Sequence, residues 1–265
     1  MTMTLSAIYR YPLKSCRAQA LTNSLLTMRG LQFDREWMVA TNEGKYITGR
    51  TEPRLLLIRA EPTGDGLWLK APNCVDLFVP LGHFSETHIA DVWENEFLAR
   101  RGALDADAWL SAYLGQQVHL MWTGPESHRR VKHHPEIPVG FADTYPLLLI
   151  GEGSLRELNH RIGREMSMLR FRPNLVIANT EPFAEDRWQR IRIGDVEFQL
   201  GKPCERCILT TLDPDTAAKS PDSEPLRSLA KFRKIQGAVV FGQNLLALGE
   251  GELRQGMPLE VLSYF

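Results

Sequence analysis

The chain has 265 residues, enough for one large domain or two ordinary ones. Apolar residues make up 43% and charged residues 24%, which suits a globular chain with a substantial core. Lys and Arg number 31 against 32 Asp and Glu, a net charge of −1 that argues against general nucleic-acid binding but permits a local basic pocket.

The first ten residues lack the apolar run of a signal peptide, and no stretch reaches the ~18 apolar residues that a membrane span needs. The cysteines Cys16, Cys74, Cys204 and Cys207 do not form a disulfide framework. A soluble protein of the reducing cytoplasm is therefore expected.

Most of the chain reads as strands. Tyr11-Pro12-Leu13-Lys14-Ser15-Cys16 follows a strand and places a lysine and a hydroxyl after a proline. Phe33-Asp34-Arg35-Glu36-Trp37 sets Arg35 beside apolar residues. Leu55–Ile58 after Pro53, Leu67–Leu69 after Gly64-Asp65-Gly66, and Leu77–Val79 after Asn73 are short strand candidates. Asp105 is placed to cap a helix carrying Trp109, Leu110, Tyr113 and Leu114 and stopping at Gly115. Val118, Leu120 and Trp122 then alternate.

The polar stretch from Thr123 to Pro138 contains His128-Arg129-Arg130 and Lys132-His133-His134-Pro135. It marks a boundary between residues 1–123 and 124–265, unless it is an exposed loop inside one domain. Leu147–Ile150 and Leu175–Ile177 have the dense apolar character of strands buried on both faces. Ser154-Leu155-Arg156-Glu157 has the form of a capping box, with Leu155, Leu158 and Ile162 on one face. Phe171-Arg172-Pro173-Asn174 places another arginine just before an apolar run. Ile191 to Leu200 alternates on both sides of Gly194-Asp195, a hairpin signature, and leads directly to Cys204. Ser223 precedes a helix with Leu226, Leu229 and Phe232 and a basic exposed face of Arg227, Lys231, Arg233 and Lys234. Leu259 and Val261 give a weaker final strand.

The densest chemistry is Lys202-Pro203-Cys204-Glu205-Arg206-Cys207-Ile208-Leu209-Thr210-Thr211. A thiolate flanked by cations is easier to form and is a soft metal ligand. Taken alone, the spacing leaves three readings level: a one-thiolate metal or cofactor site, a structural or redox pair, and plain buried cysteines. A redox dithiol usually opens a helix, whereas Cys207 leads into a strand-like segment. The histidines form no metal triad, and Gly151-Glu152-Gly153 lacks the remaining residues of a phosphate loop. Arg35 has Asp34 and Glu36 as possible partners. Several buried-looking cations on separate loops nevertheless favour an anionic ligand.

Seven segments, in order, resemble the MOSC family, and more narrowly the YcbX-like proteins and mitochondrial amidoxime-reducing components. They are Tyr11-Pro12-Leu13-Lys14-Ser15, Phe33-Asp34-Arg35, Ile47-Thr48-Gly49-Arg50, Phe141-Ala142-Asp143, Phe171-Arg172-Pro173-Asn174, the Cys204 segment, and Phe241-Gly242-Gln243-Asn244. The resemblance implies a mainly β, α+β fold: an N-terminal β-barrel-like domain packed on a β-rich MOSC domain. It implies molybdenum cofactor bound between them, with Cys204 as the metal ligand and Cys207 outside the coordination shell. Lys14, Ser15 and Arg35 match pterin and phosphate positions, and Arg172 and Asn174 match further cofactor contacts. Asp143 and Thr144 match positions beside the metal, with Asp143 as a proton or water handler. Thr210 and Thr211 match hydroxyls following the ligand cysteine.

The implied activity is reduction of N-hydroxylated compounds. The competing readings are a cofactor carrier and cofactor-linked sulfur transfer. Pyridoxal phosphate is associated with the family at large, but no module for it accompanies this chain. Full-length YcbX-like proteins carry a ferredoxin-type iron–sulfur domain whose cysteine cluster this chain lacks. No iron–sulfur cluster is expected here, and electrons are expected from an external ferredoxin- or flavoprotein-reductase-like protein.

Overall fold

A computed structural model describes residues 2–265 and is mostly β with three α-helices among them. The backbone of the fold is a nine-stranded sheet. Its order is Gln19–Leu21, Thr4–Arg10, Leu175–Ala178, Leu147–Gly151, Ala238–Ala247, Val196–Glu205, Trp188–Ile193 and Leu259–Tyr264, with Lys234–Ile235 paired to Ala238–Ala247. Leu147–Gly151 and Leu175–Ala178 run parallel. The helix α2 (Glu152–Ile162) lies in the connection between them, as a parallel pair requires. Both strands consist almost wholly of buried residues, which explains their unbroken apolar sequence.

The sheet crosses the division at residue 123. Thr4–Arg10 pairs antiparallel with Leu175–Ala178, so the first strand is built into the C-terminal sheet. Asn23–Thr27 likewise pairs with Gly251–Arg254. The rest of the N-terminal half forms a four-stranded sheet (Trp37–Ala40, His119–Trp122, Glu96–Arg101, Glu86–Asp91) and a three-stranded one (Arg59–Pro62, Gly66–Lys70, Leu77–Pro80). Together with α1 (Leu104–Leu114), they supply a second core around Trp37, Leu55, Leu69, Phe84 and Leu110.

The hairpin at 188–205 turns at Gly194-Asp195 as its alternation predicts and carries Cys204 near its end. Five local expectations are corrected. Helix α1 starts at Leu104 with Ala103 at its N-cap, so Asp105 lies inside the first turn rather than capping it. The segment 55–58 is not a strand: Pro53–Leu57 is a 3-10 turn, because Pro53 starts it and the Glu52 carboxylate accepts the Arg54 N–H. Ser154 forms no capping box. Helix α2 starts at Glu152, and the Ser154 hydroxyl donates instead to the buried Glu185 carboxyl at 2.7 Å. Ile208–Thr211 is a 3-10 turn opened by Cys207, not a strand; the Thr210 and Thr211 hydroxyls donate back to the carbonyls of Cys207 (3.0 Å) and Ile208 (2.7 Å). Arg233, at the end of α3 (Leu226–Phe232), turns inward to Asp186 at 2.6 Å rather than joining a basic face.

Asn174 ties the sheet to the loops above it. It is 1% exposed. Its amide oxygen accepts from Leu148 N–H (3.2 Å) and Arg35 (3.0 Å), and its amide nitrogen donates to the Tyr9 carbonyl (3.1 Å). Asn174→Ala strands those groups and should lower unfolding free energy by about 2–3 kcal/mol. Urea melts check this. Arg190→Ala, at an exposed pair with Glu197, should stay within ~0.5 kcal/mol.

Candidate functional site

The loop after the first strand is zipped to the loop before Trp37. Lys14 N–H donates to Trp37 O (2.8 Å), Trp37 N–H to Pro12 O (3.0 Å), and Arg35 N–H to Tyr11 O (2.9 Å). Three expected site residues sit at left-handed backbone angles: Ser15 (φ 68°), Arg35 (φ 51°) and Arg172 (φ 55°). Residues with a Cβ seldom adopt this region, and such strain collects at functional sites. It aims three side chains that regular structure would send elsewhere.

A third loop, 140–145, closes on these two. Phe141 N–H donates to Arg35 O at 2.7 Å. Gly140 permits that approach, since an added Cβ would lie 2.6 Å from the Arg35 carbonyl oxygen. The buried Arg129 donates to the carbonyls of Gly140 (2.5 Å), Ala142 (2.6 Å) and Asp143 (3.2 Å), fixing the loop from behind.

Cys204, Asp143, Lys14, Ser15, Arg35, Thr144, Arg172, Asn174 and Thr210 all line one cleft formed by these loops, the 168–174 segment and the end of the hairpin. Sequence reasoning did not single out Arg170 or Tyr145, and named Arg50 and Arg206 only within their motifs; all four line it too. The cleft gathers six cations, Lys14, Arg35, Arg50, Arg170, Arg172 and Arg206, against two carboxylates, Asp143 and Glu205. In a chain of net charge −1, that concentration is local.

The cations fall into two groups. Arg206 is spent on structure: it donates to Phe241 O (2.8 Å) and Phe171 O (2.9 Å). Arg170 is likewise held by Thr211 O (3.1 Å) and Asp213 (2.9 Å). Arg35 and Arg172 are positioned differently. Their guanidinium carbons lie 4.4 and 4.1 Å from the Tyr11 ring centroid. Arg35 pairs with Asp34, as its neighbours suggested. Arg172 donates through Nη1 to Cys16 O at 2.7 Å, while its buried Nη2 has no partner among the described residues. Arg35 lowers the Arg172 pKa, as a neighbouring like charge does, and an anion held near either would relieve that cost.

Lys14 is buried, donates to Phe141 O at 2.7 Å, and pairs with Asp143. Burial lowers the Lys14 pKa to about 8, although Asp143 opposes the shift. Burial pushes the Asp143 carboxyl up, but Lys14, Trp93 and Arg50 together hold it well below the usual range. Asp143 therefore stays ionised at neutral pH, and Lys14 is the group that titrates. Burial raises the Cys204 thiol, with Arg206 pulling it down in opposition. A metal at Cys204 would have to displace a proton. Among the described residues no three His, Cys, Asp or Glu side chains gather into a metal-sized group, so a metal here would bring its other ligands with it.

A bound anion stabilises the ammonium form of Lys14, so anion affinity should be highest below pH 8 and fall as pH rises through it. The limit is about tenfold per pH unit. Titrating cofactor affinity from pH 6.5 to 9.5 should show the fall in the wild type. Lys14→Met should give a weaker, flat profile. A flat wild-type profile would remove Lys14 from the anion grip.

Residues 2–117 match the MOSC N-terminal beta barrel domain, and residues 136–260 match the MOSC domain. The chain is 34% identical over 280 residues to Mitochondrial amidoxime-reducing component 1 of Homo sapiens, covering 98% of this chain and 83% of that protein. Its identity to the Mus musculus protein of the same name is also 34%, covering 98% and 82%. For Mitochondrial amidoxime reducing component 2 of Rattus norvegicus the identity is 32%, covering 97% and 82%. Two domain matches in order, and relatives aligned along nearly the whole chain, place it in the MOSC-domain family together with the proteins named mitochondrial amidoxime-reducing components.

Proposed function

We propose that this protein is a molybdenum-cofactor-dependent reductase that removes oxygen from N-hydroxylated compounds, using electrons from an external donor protein. The observation that supports this most is the cleft itself. A half-buried thiol, Cys204, shares it with Arg35, Arg172 and Lys14, and the buried Arg172 Nη2 lacks a partner among the described residues. The donor set fits the cofactor: a soft ligand for molybdenum and hard cations for a phosphate.

When bound, the cofactor supplies the two-electron oxygen-atom chemistry. Cys204 would hold its metal, and Lys14, Ser15, Arg35 and Arg172 its pterin and phosphate. Thr210 keeps the turn after Cys204 closed, and Asn174 positions Arg35. Asp143, ionised at neutral pH, accepts hydrogen bonds and orients water or substrate rather than donating a proton. Lys14, whose pKa burial lowers to about 8 in the ligand-free site, would be held as ammonium by the bound anion and so anchors it.

The test supplies cofactor-loaded protein with an artificial low-potential donor and 6-hydroxylaminopurine, then follows adenine. Adenine formation supports the reductase. Stable cofactor binding without turnover of N-hydroxy, N-oxide or S-oxide substrates favours a carrier.

A further inference from the structure

No residue of the polar stretch 124–138 lines the cofactor cleft, although Arg129 braces its 140–145 loop from behind. The stretch walls a second, wider groove of about 870 Å³, which meets the cleft at Asp143, Thr144 and Tyr145. That volume is in the range of small-molecule sites. The opposite wall is the tip of the hairpin joining Glu86–Asp91 to Glu96–Arg101, which contributes Trp93.

Trp93 is unusual in two respects. It and Glu94 occupy the two central positions of a tight turn at φ 58° and 59°, where Asn and Gly are the comfortable residues. It is also 52% exposed. Arg50 lies 4.7 Å from its ring centroid and 3.9 Å from Asp143, so the indole stands directly beside the reacting end of the cleft. Across the groove, Arg130 and Lys132 are exposed, and neither pairs with a carboxylate among the described residues. Lys202, by contrast, is paired with Glu205 at 3.0 Å. Glu94 is the one acid in the groove besides Asp143.

We propose that this groove is an outer substrate subsite for a nucleotide: Trp93 stacks the planar base, and Arg130 and Lys132 take the phosphate. This rests on the reductase reading and extends it to phosphorylated N-hydroxylated nucleosides. A concave groove opening onto Asp143 suits a small molecule better than a protein surface. Two cations without a carboxylate partner and an exposed aromatic lining the same groove match the polarity of a nucleotide.

The test begins with binding of adenosine and adenosine 5′-monophosphate to the full chain by calorimetry. The monophosphate should bind about tenfold tighter at low salt, and the advantage should shrink as salt is raised. In the Arg130→Ala/Lys132→Ala variant the two ligands should differ by less than about twofold. Trp93→Ala should weaken both ligands alike. Equal wild-type affinities overturn the proposal. Inorganic phosphate competing as well as the nucleotide also overturns it, by removing any role for Trp93.

Loaded protein then reduces 6-hydroxylaminopurine riboside and its 5′-monophosphate. The phosphate should lower KM about tenfold and leave kcat unchanged. Reduction without a phosphate preference overturns the subsite alone. No reduction, with the binding pattern intact, overturns the reductase reading and leaves the nucleotide subsite standing. If the double variant slows turnover with a ferredoxin donor while monophosphate binding is unchanged, the groove is a protein-docking surface and the proposal fails.

Discussion

Cys204→Ala should abolish reduction of N-hydroxylated substrates and remove one sulfur from the coordination shell of bound molybdenum. The thiol sits at the end of a ten-residue strand whose register is set by the hairpin on one side and by Ala238–Ala247 on the other. Its position is therefore defined before any metal arrives. Arg206, two residues on, is locked to two carbonyls and partly offsets the burial that raises the thiol pKa. Losing a metal ligand should cut turnover by on the order of 10³-fold, the scale of several kcal/mol of transition-state stabilisation. X-ray absorption on loaded wild type and variant measures the sulfur shell directly. An unchanged shell in Cys204→Ala would defeat the assignment. Cys207 is exposed and begins the next turn, so Cys207→Ala should have a much smaller effect. Equal losses at both positions would revive the structural or redox pair reading.

The strands legible in the sequence were those with a local signature. Ile191–Leu200 alternates around Gly194-Asp195, and Leu147–Ile150 and Leu175–Ile177 are dense apolar runs. Each feature follows from how the strand is buried, so sequence and structure agree. Ala238–Ala247 was not legible as a strand, although it lies inside the main sheet. Gly242 sits at φ 75° in the middle of it, and the polar Gln243 and Asn244 are buried beside it, so it shows no period of two. The pairing of Thr4–Arg10 with Leu175–Ala178 joins segments far apart in the chain and leaves no trace in either. Short apolar runs were ambiguous: the 3-10 turn at Pro53–Leu57 buries Leu55 and Leu56, the one at Ile208–Thr211 buries Thr210 and Thr211 and leaves Ile208 exposed, and Pro53 and the two threonine hydroxyls decide the matter.

The site followed the same logic. Lys14, Arg35, Arg172 and Cys204 stand out because each interrupts an apolar or turn segment with chemistry such a segment does not need. Arg170 was missed because Arg172 two residues away accounted for the positive charge there. Trp93 was missed because a lone tryptophan in a turn reads as an exposed aromatic. Its significance appears only when Arg50, Asp143 and the 130–132 segment come within reach of it.

Arg172→Met should lower cofactor occupancy about tenfold or more, while turnover per bound molybdenum stays within about twofold. The reasoning starts from the side chain's unfinished hydrogen bonding. Nη1 is committed to Cys16 O, and the guanidinium plane rests on Tyr11, so the group is held in place without a counter-ion. Nη2 is buried with no partner among the described residues. Burial lowers the Arg172 pKa, and neighbouring Arg35 lowers it further, which identifies a charge held at a cost in the absence of an anion. A phosphate bound at Nη2 would satisfy the open donor and offset the Arg172 charge. Methionine keeps much of the length and removes all of the charge, so it tests the anion contact rather than the packing on Tyr11. Arg172→Lys should recover part of the occupancy, since it restores the charge without the fork. Metal content per chain, measured beside turnover per metal, separates anchoring from chemistry. Full occupancy with lost turnover in Arg172→Met would move Arg172 into the reaction itself. Arg190→Ala, at the surface pair with Glu197, should leave both quantities at wild-type values.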